Sequence, residues 1–358
     1  MAFRLYTKLP FDLQLEILRK LDLPELVSFS LVCKETKDLV KALNLEIHRF
    51  VWSFRSEDEY AISISNETTY ELTVFSALRY FEGNGDVKTS SVKFDKVTRQ
   101  AYLPDDRWFW FMVCDEKRHK LEVIDEFSKY FIDLFRIKKF DFDCYSGDVE
   151  EFSMLVSKYT RTFRRADLCV RHRFSILAVN QLTFMLKDFS FHSMELNRVE
   201  FSDGDQYDGP LTVNFLLTQN MDWLTMNAIL GMSCRVVRSY SSSSFPLSNC
   251  RALIAAWMEG NCLKNLESFQ VNSKELKDGR SRVKLFKEIL DGIQSFPYHK
   301  KNRPSHWKFN TGLKDVTNGR DVRRVDGTWA TIYLCSSIFR FLVWKPEISE
   351  EIDSEEDY

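Results

Sequence analysis

The stretch that decides the fold of this chain is Leu9-Pro-Phe-Asp-Leu-Gln-Leu-Glu-Ile-Leu-Arg-Lys-Leu21, continued by Asp22-Leu-Pro-Glu-Leu-Val-Ser-Phe-Ser-Leu-Val-Cys-Lys-Glu-Thr-Lys-Asp-Leu-Val-Lys-Ala-Leu43. Pro10 sits where a first-turn proline is tolerated, because that amide has no helical partner. Leu13, Ile17, Leu18 and Leu21 then recur at helical spacing on one face, and Phe11, Leu15 and Leu18 line a second. Asp22 opens a break, and Pro24-Glu25 restarts a helix with the proline and the acid both favoured in a first turn. A third run carries Val32, Thr36, Leu39, Val40 and Leu43 on its apolar side. Three short helices of this kind carry more apolar side chain than they can bury alone. A segment this short needs disulfides, a metal or a partner. It holds one cysteine, Cys33, and no histidine, so the sequence implies a module that docks on something else.

Leu9-Pro10, Leu13, Ile17-Leu18, Leu21, Leu26 and Leu31-Val32-Cys33-Lys34 resemble an F-box. That resemblance implies binding of the adaptor Skp1, through Leu9, Pro10, Leu13, Ile17, Leu18, Leu21, Leu26, Leu31 and Val32, and through Skp1 a cullin–RING ubiquitin ligase. Many F-boxes place a tryptophan in the third helix where this sequence has Thr36. The Cys33-Lys-Glu-Thr-Lys37 form resembles instead the F-boxes of a large nematode family, the F-box B-like proteins, in which an F-box-associated domain of type 2 follows. Arg323-Arg-Val-Asp-Gly-Thr-Trp-Ala-Thr-Ile332 is similar to the closing hairpin of that domain, and Leu263-Lys-Asn-Leu-Glu-Ser-Phe-Gln-Val271 to its core strand.

Length and composition leave room for a large second part. A chain of 358 residues with 30 phenylalanines does not lack core, and 12 glycines and 8 prolines argue against long linkers. A net charge of -2 gives no general pull toward nucleic acid or anionic membrane. Arg4 and Lys8 interrupt the amino-terminal apolar run, and no stretch approaches a membrane span, so a soluble protein of the cytoplasm, the nucleus or both is expected. The eight cysteines, at 33, 114, 144, 169, 234, 250, 262 and 335, contain no Cys-x-x-Cys pair and read as small core residues in a reducing compartment.

The expected architecture is α+β or α/β. It comprises a three-helix F-box over 5–48, a strand-rich segment over 49–120, a leucine-rich-repeat-like helix–strand array over 121–345 closed by a β-hairpin cap, and an acidic tail over 346–358. In the strand-rich segment Thr69–Phe75 and Ser90–Phe94 alternate around a Gly83–Asp86 turn, Arg107–Val113 is a short apolar strand, and residues 44–55 read as a linker. Farther on, helix–strand pairs repeat: Val123–Leu134 with Ile137–Phe142, Val149–Tyr159 with Arg164–Val170, and Ile176–Leu186 with Met194–Phe201. A helix around Val213–Leu217 with Met221–Leu230 precedes Cys234–Tyr240, and Leu247–Met258 precedes Leu266–Val271. The strands start about 27 to 40 residues apart, near a leucine-rich-repeat period but looser. A three-layer α/β domain gives the same alternation, so both readings stand. Trp329–Tyr333 and Ile338–Trp344 form the closing pair.

Catalytic constellations fail. There is no phosphate-binding glycine loop and no nucleophile elbow, and the six histidines pair nowhere at i, i+4. A Cys114/His119 nucleophile pair has no local support. Asp203–Gly209 resembles a calcium loop only in outline, with tyrosine at the third ligand position, and Ser241–Ser244 reads as a flexible loop. No catalytic residue, cofactor or metal ligand is assigned. One basic stretch stands out: Lys300, Lys301, Arg303, Lys308, Lys314, Arg320, Arg323 and Arg324 are interleaved with Tyr298, Trp307 and Phe309. It suits a solvated face, a dock for an acidic protein segment, or, less readily, phosphate contacts with stacking on RNA. Two functions follow. One is a non-enzymatic substrate adaptor whose partners are a Skp1-like protein, a cullin through it and an unnamed protein target, with no membrane. The other is a non-ligase scaffold, RNA-binding through 298–324.

Overall fold

A computed structural model of the chain describes residues 8–56, 59–65, 71–77, 89–94, 97–102, 109–113, 120–144, 149–169, 179–197, 206–243, 245–277, 281–309 and 312–345. The chain divides into two compact units, 1–175 and 176–358, so the 121–345 segment is shared between them.

The first unit opens with helices α1 (Phe11–Leu18), α2 (Leu23–Ser30) and α3 (Lys34–Ala42). Each start has a local cause. Pro10 precedes α1 in extended conformation. At α2, Asp22 accepts from the Glu25 amide at 2.9 Å and Glu25 accepts from the Asp22 amide at 3.0 Å, a reciprocal capping box with Pro24 in the first turn. At α3, Thr36 Oγ1 accepts from the Cys33 amide at 3.0 Å and donates to the Cys33 carbonyl at 2.8 Å. The threonine that departs from the usual F-box tryptophan is therefore buried and closes the helix start.

Residues 44–55 are not a linker. Strand β1 (Glu46–Ser56) runs through the sheet interior, antiparallel to β2 (Glu59–Ser65) and parallel to β7 (Arg136–Cys144). Its alternation of Phe50, Trp52 and Phe54 with Arg49, Val51 and Ser53 is that of a strand with two different faces. With β3 (Glu71–Ala77), β4 (Thr89–Phe94), β5 (Val97–Tyr102), β6 (Phe109–Val113) and β8 (Thr162–Cys169), the order is β8-β7-β1-β2-β3-β6-β5-β4. The strand-rich segment is mixed rather than purely antiparallel, since β3 pairs in parallel with β6. The Gly83–Asp86 turn, Cys114 and His119 lie outside the described residues.

Helices α4 (Lys120–Leu134) and α5 (Val149–Val156) supply the rest of this core. Phe127 and Phe131 of α4, Trp52, Phe142, Phe152 and Phe163 are all buried. Trp52 is tied into it by its indole Nε1, which donates to Ser128 Oγ at 2.8 Å. On the other side of β1, Asp141 is wholly buried and receives Arg49, Arg164 Nη2 at 2.9 Å and the Arg165 amide at 3.0 Å. Removing one partner of such a cluster leaves an uncompensated charge, at a cost of roughly 3–5 kcal/mol.

In the second unit α6 (Val179–Asp188), β9 (Ser190–Asn197), β10 (Phe215–Thr218), α7 (Met226–Gly231), β11 (Val236–Ser243), α8 (Leu247–Glu259) and β12 (Ser268–Ser273) follow one another. Strands β9 to β12 are parallel neighbours. The helix expected around Val213–Leu217 is a strand. Its four residues alternate half-buried and buried between β9 and β11, too short a run to display a period. The helix behind it begins only at Met226, capped by Thr225, because Trp223 is buried with its Nε1 on Thr218 Oγ1 and the Asn220 carbonyl. Ser241–Ser243 continue β11 rather than forming a loop. Gly260 ends α8 at φ 78°, a left-handed position that suits glycine.

Helix α9 (Arg282–Ile289) and strands β13 (Phe296–Pro297), β14 (His306–Phe309), β15 (Gly312–Asp315), β16 (Arg320–Arg323), β17 (Trp329–Cys335) and β18 (Ile338–Trp344) complete the unit. β18 lies antiparallel against β12 and β17, with β16 and β13 beyond. β14 and β15 form a separate hairpin whose Trp307 packs with Val316, Tyr333 and Leu342. On the opposite face Phe341 meets Trp257 of α8 at 5.1 Å and Phe339 meets Phe269 at 6.5 Å.

Asp143, on the Asp141 face of β7, is held above its ordinary value of 3.8 by burial, against the pull of Arg49 and Arg165. The folded state therefore binds a proton more tightly than the unfolded chain, and stability from this group falls as pH rises through that window. Asp143→Asn is expected to raise the melting temperature at pH 7, with the gain shrinking as pH falls toward 4. A variant less stable than the native chain at pH 7 would contradict this.

Candidate functional site

The helical trio has two apolar faces of different fate. Leu15, Leu18, Leu23, Leu26, Val27 and Val40 are buried. The trio is also anchored to the rest of its unit through α4. Ser30 Oγ and Tyr130 Oη lie 2.8 Å apart, Lys37 Nζ sits 4.5 Å from the Tyr130 ring centroid, and Asp133 receives both Lys37, at 3.3 Å, and Lys41. Those two lysines hold the Asp133 carboxyl below its usual range. The Arg136 amide donates to the Leu45 carbonyl at 2.9 Å where the chain enters β7.

The other face stays open. Phe11 is 54% exposed, Leu13 51%, Ile17 43% and Val32 62%. Leu13 and Ile17 are one turn apart on α1, and Pro10 is exposed beside them. Leu9, Leu21 and Leu31 are half-buried. Of the nine residues expected at a Skp1 contact, Leu18 and Leu26 lie instead inside the trio, at 1% and 4% exposure, where they can only support the outer face. Phe11 is exposed although its spacing groups it with Leu15 and Leu18. The wide apolar stripe signals two faces, and spacing alone does not say which one is wet. Large apolar side chains at this exposure, grouped on one short helix and the α2–α3 turn, mark a surface made for contact.

The basic stretch is largely dismantled by the fold. Arg303 is buried, its Nε on Asp321 Oδ1 at 2.7 Å and its Nη2 on the Val316 carbonyl at 3.0 Å. Trp307 belongs to the core under the β14–β15 hairpin. Arg324 pairs with Asp326, and the Arg323 guanidinium lies 5.6 Å from the Trp329 ring. Lys300 and Lys301 are exposed, and Lys308 is half-buried. The residues that gave the stretch its stacking and phosphate-binding character are thus partly structural.

Nothing among the described residues assembles a metal centre: no group of three or more His, Cys, Asp or Glu side chains comes together. Burial pushes the Cys234 thiol up to about 12 and raises Cys250 and Cys262 as well, the chemistry of core thiols rather than nucleophiles. Tyr207, at the third position of the calcium-like sequence, is buried and donates to the Pro210 carbonyl at 2.9 Å. Among the described residues, no helix is long and apolar enough to cross a membrane.

A two-faced trio of short helices, tethered on one side and apolar on the other, defines a protein-docking module. The family model for the F-box domain matches residues 7–48, so the chain carries an F-box domain there, and such domains in general bind Skp1 within SCF complexes. No curated protein and no solved structure matches the chain.

The two faces separate in a stability measurement. Leu18→Ala is expected to cost roughly 2–5 kcal/mol in urea denaturation, as for other buried leucines. Leu13→Ala and Ile17→Ala are expected to stay within about 0.5 kcal/mol of the native chain. Equal losses at all three positions would mean that the outer face is buried in the free protein.

Proposed function

We propose that this chain is the substrate-recognition adaptor of an SCF-type ubiquitin ligase. Its F-box holds Skp1 through Leu9, Pro10, Leu13, Ile17, Leu21, Leu31 and Val32, joined by Phe11, while Leu18 and Leu26 set the shape of that face from within. The observation that carries this reading is the open apolar face of α1 in a segment that matches the F-box domain. The parts beyond it bind a protein target, and the 121–345 segment, read as the type 2 F-box-associated domain of the nematode F-box B-like proteins, contributes that surface. The chain itself is not an enzyme and needs no cofactor. It acts by raising the effective concentration of target lysines near a charged conjugating enzyme held in the same assembly. Cytoplasm and nucleus are the compartments that suit this role. The parallel order of β9 to β12 is compatible with the stacked, leucine-rich-repeat-like reading, and the inward turn of Arg303 and Trp307 weighs against RNA binding by a non-ligase scaffold.

Purified Skp1 and the full chain test the assignment. The double change Pro10→Ala and Leu13→Ala is expected to weaken Skp1 binding about 100-fold or more, since two truncated anchors together remove about 3 kcal/mol, while the far-ultraviolet spectrum and melting temperature stay unchanged. Skp1 binding that survives the double change would place the interface elsewhere, and Skp1 binding without cullin co-capture would favour the scaffold.

A further inference from the structure

The parallel sheet of the second unit has a covered face and an open one. Leu216, Val237, Phe269 and Val271 are buried, while Phe215, Leu217, Val236, Arg238 and Gln270 are half-buried and Tyr240 is 51% exposed. Pairing aligns Leu217, Arg238, Gln270, Arg340 and Tyr333 into one row across five strands, β10, β11, β12, β18 and β17. The β14–β15 hairpin roofs the Tyr333 end of this face, with Phe309 packed against Trp307, Val316, Tyr333 and Leu342.

Arg340 stands at the border between roof and open face. It is 8% exposed, its Nε donates to Gln270 Oε1 at 2.9 Å, and its guanidinium lies 4.6 Å from the Phe309 ring centroid and 5.9 Å from that of Tyr333. The Cys335 thiol is its other polar neighbour. Among the described residues none of these partners carries a full negative charge. Elsewhere in the same unit, Arg303 is buried against Asp321, and Arg235 meets Glu267 at 2.8 Å. Arginine stays protonated, so a desolvated guanidinium with only neutral partners is a charge awaiting an anion. Further positive charge lies close by. Arg238 is in the same row, and Lys314 Nζ is 5.9 Å from the far partner of the stack, the Phe309 ring. The one carboxylate in register with the row, Glu195 on β9, is four strands from Arg340, about 19 Å at the usual strand spacing.

We propose that the open face of β10, β11, β12 and β18 is the target-docking surface, and that it takes an extended acidic protein segment, one carboxylate of which reaches Arg340 between Phe309 and Tyr333. Alternate apolar side chains of that segment rest on Phe215, Leu217 and Tyr240, the spacing an extended chain provides. A guanidinium sandwiched between rings and offered through its fork gives a carboxylate both charge and geometry. This inference rests on the reading of the chain as an adaptor and names the chemistry of what it recruits.

The test uses the full chain and fluorescein-labelled peptides of about 12 residues that alternate glutamate with leucine and phenylalanine. The glutamate peptide is expected to bind at least tenfold more tightly than its glutamine counterpart, with affinity falling as salt rises. Arg340→Gln is expected to weaken the glutamate peptide about tenfold and to leave the glutamine peptide unchanged, with Arg340→Lys between. Thermal melting checks that Arg340→Gln is folded; if it is not, Arg238→Gln on the same face carries the comparison and must weaken the glutamate peptide at least threefold. Equal binding of the two peptides, an unaffected variant, a phosphoserine peptide preferred by more than tenfold, or tighter binding of a 12-nucleotide RNA would each overturn the proposal. Skp1 binding, measured on the same preparations, separates the two readings. Peptide selectivity without Skp1 binding sinks the adaptor assignment alone, and Skp1 binding without peptide selectivity sinks this one alone.

Discussion

Three helices of eight or nine residues cannot enclose their own leucines, and the rest of this protein is arranged around that shortage. Part of the surplus is resolved within the chain. Leu18, Leu26, Val27 and Val40 close on one another, and α3 is clamped to α4 by Asp133, Tyr130 and Ser30. The clamp is polar and electrostatic, which fixes orientation without consuming the apolar face on α1. Phe11, Leu13, Ile17 and Val32 are left outside because the intramolecular dock is made from the opposite side of the trio. The module is thus presented rigidly by a folded body, with β1 following α3 after only three residues.

Rigid presentation matters for an adaptor that works by proximity. A target held on one part of the chain is useful to a ligase only if the docking module is fixed with respect to its own support. The first unit provides that support through a core of Phe50, Trp52, Phe142 and Phe152 on one side of β1 and the Arg49–Asp141–Arg164 cluster on the other. The second unit carries a sheet with one covered face and one open face, and the open face holds a buried arginine without an anionic partner. Two surfaces left incomplete by the fold, one apolar and one cationic, are what a bridging protein needs.

Much of the first surface was legible in the sequence, because its signals are local. Asp22, Pro24 and Glu25 announce a helix start within four residues, and the capping box is found where they stand. What could not be read is which stripe of α1 faces inward: Leu13 and Leu18 are the same residue type on a helix with apolar side chains almost all round, and only the dock on α4 breaks the tie. β1 was read as a linker because its start follows the helical trio without a turn signal, and β10 as a helix because four residues are too few to show a period. The basic stretch misled for a different reason. Arg303 and Asp321 are eighteen residues apart, and no local pattern reveals that one neutralises the other in the interior.

The central claim is that the outer face of α1 and the α2–α3 turn is covered by a second polypeptide. Hydrogen–deuterium exchange of the full chain with and without Skp1 addresses it most directly. The account predicts that Skp1 slows exchange over residues 10–21 and 31–36 and leaves β10 to β12 unchanged. Unaltered exchange over α1, or protection confined to the strands of the second unit, would contradict it.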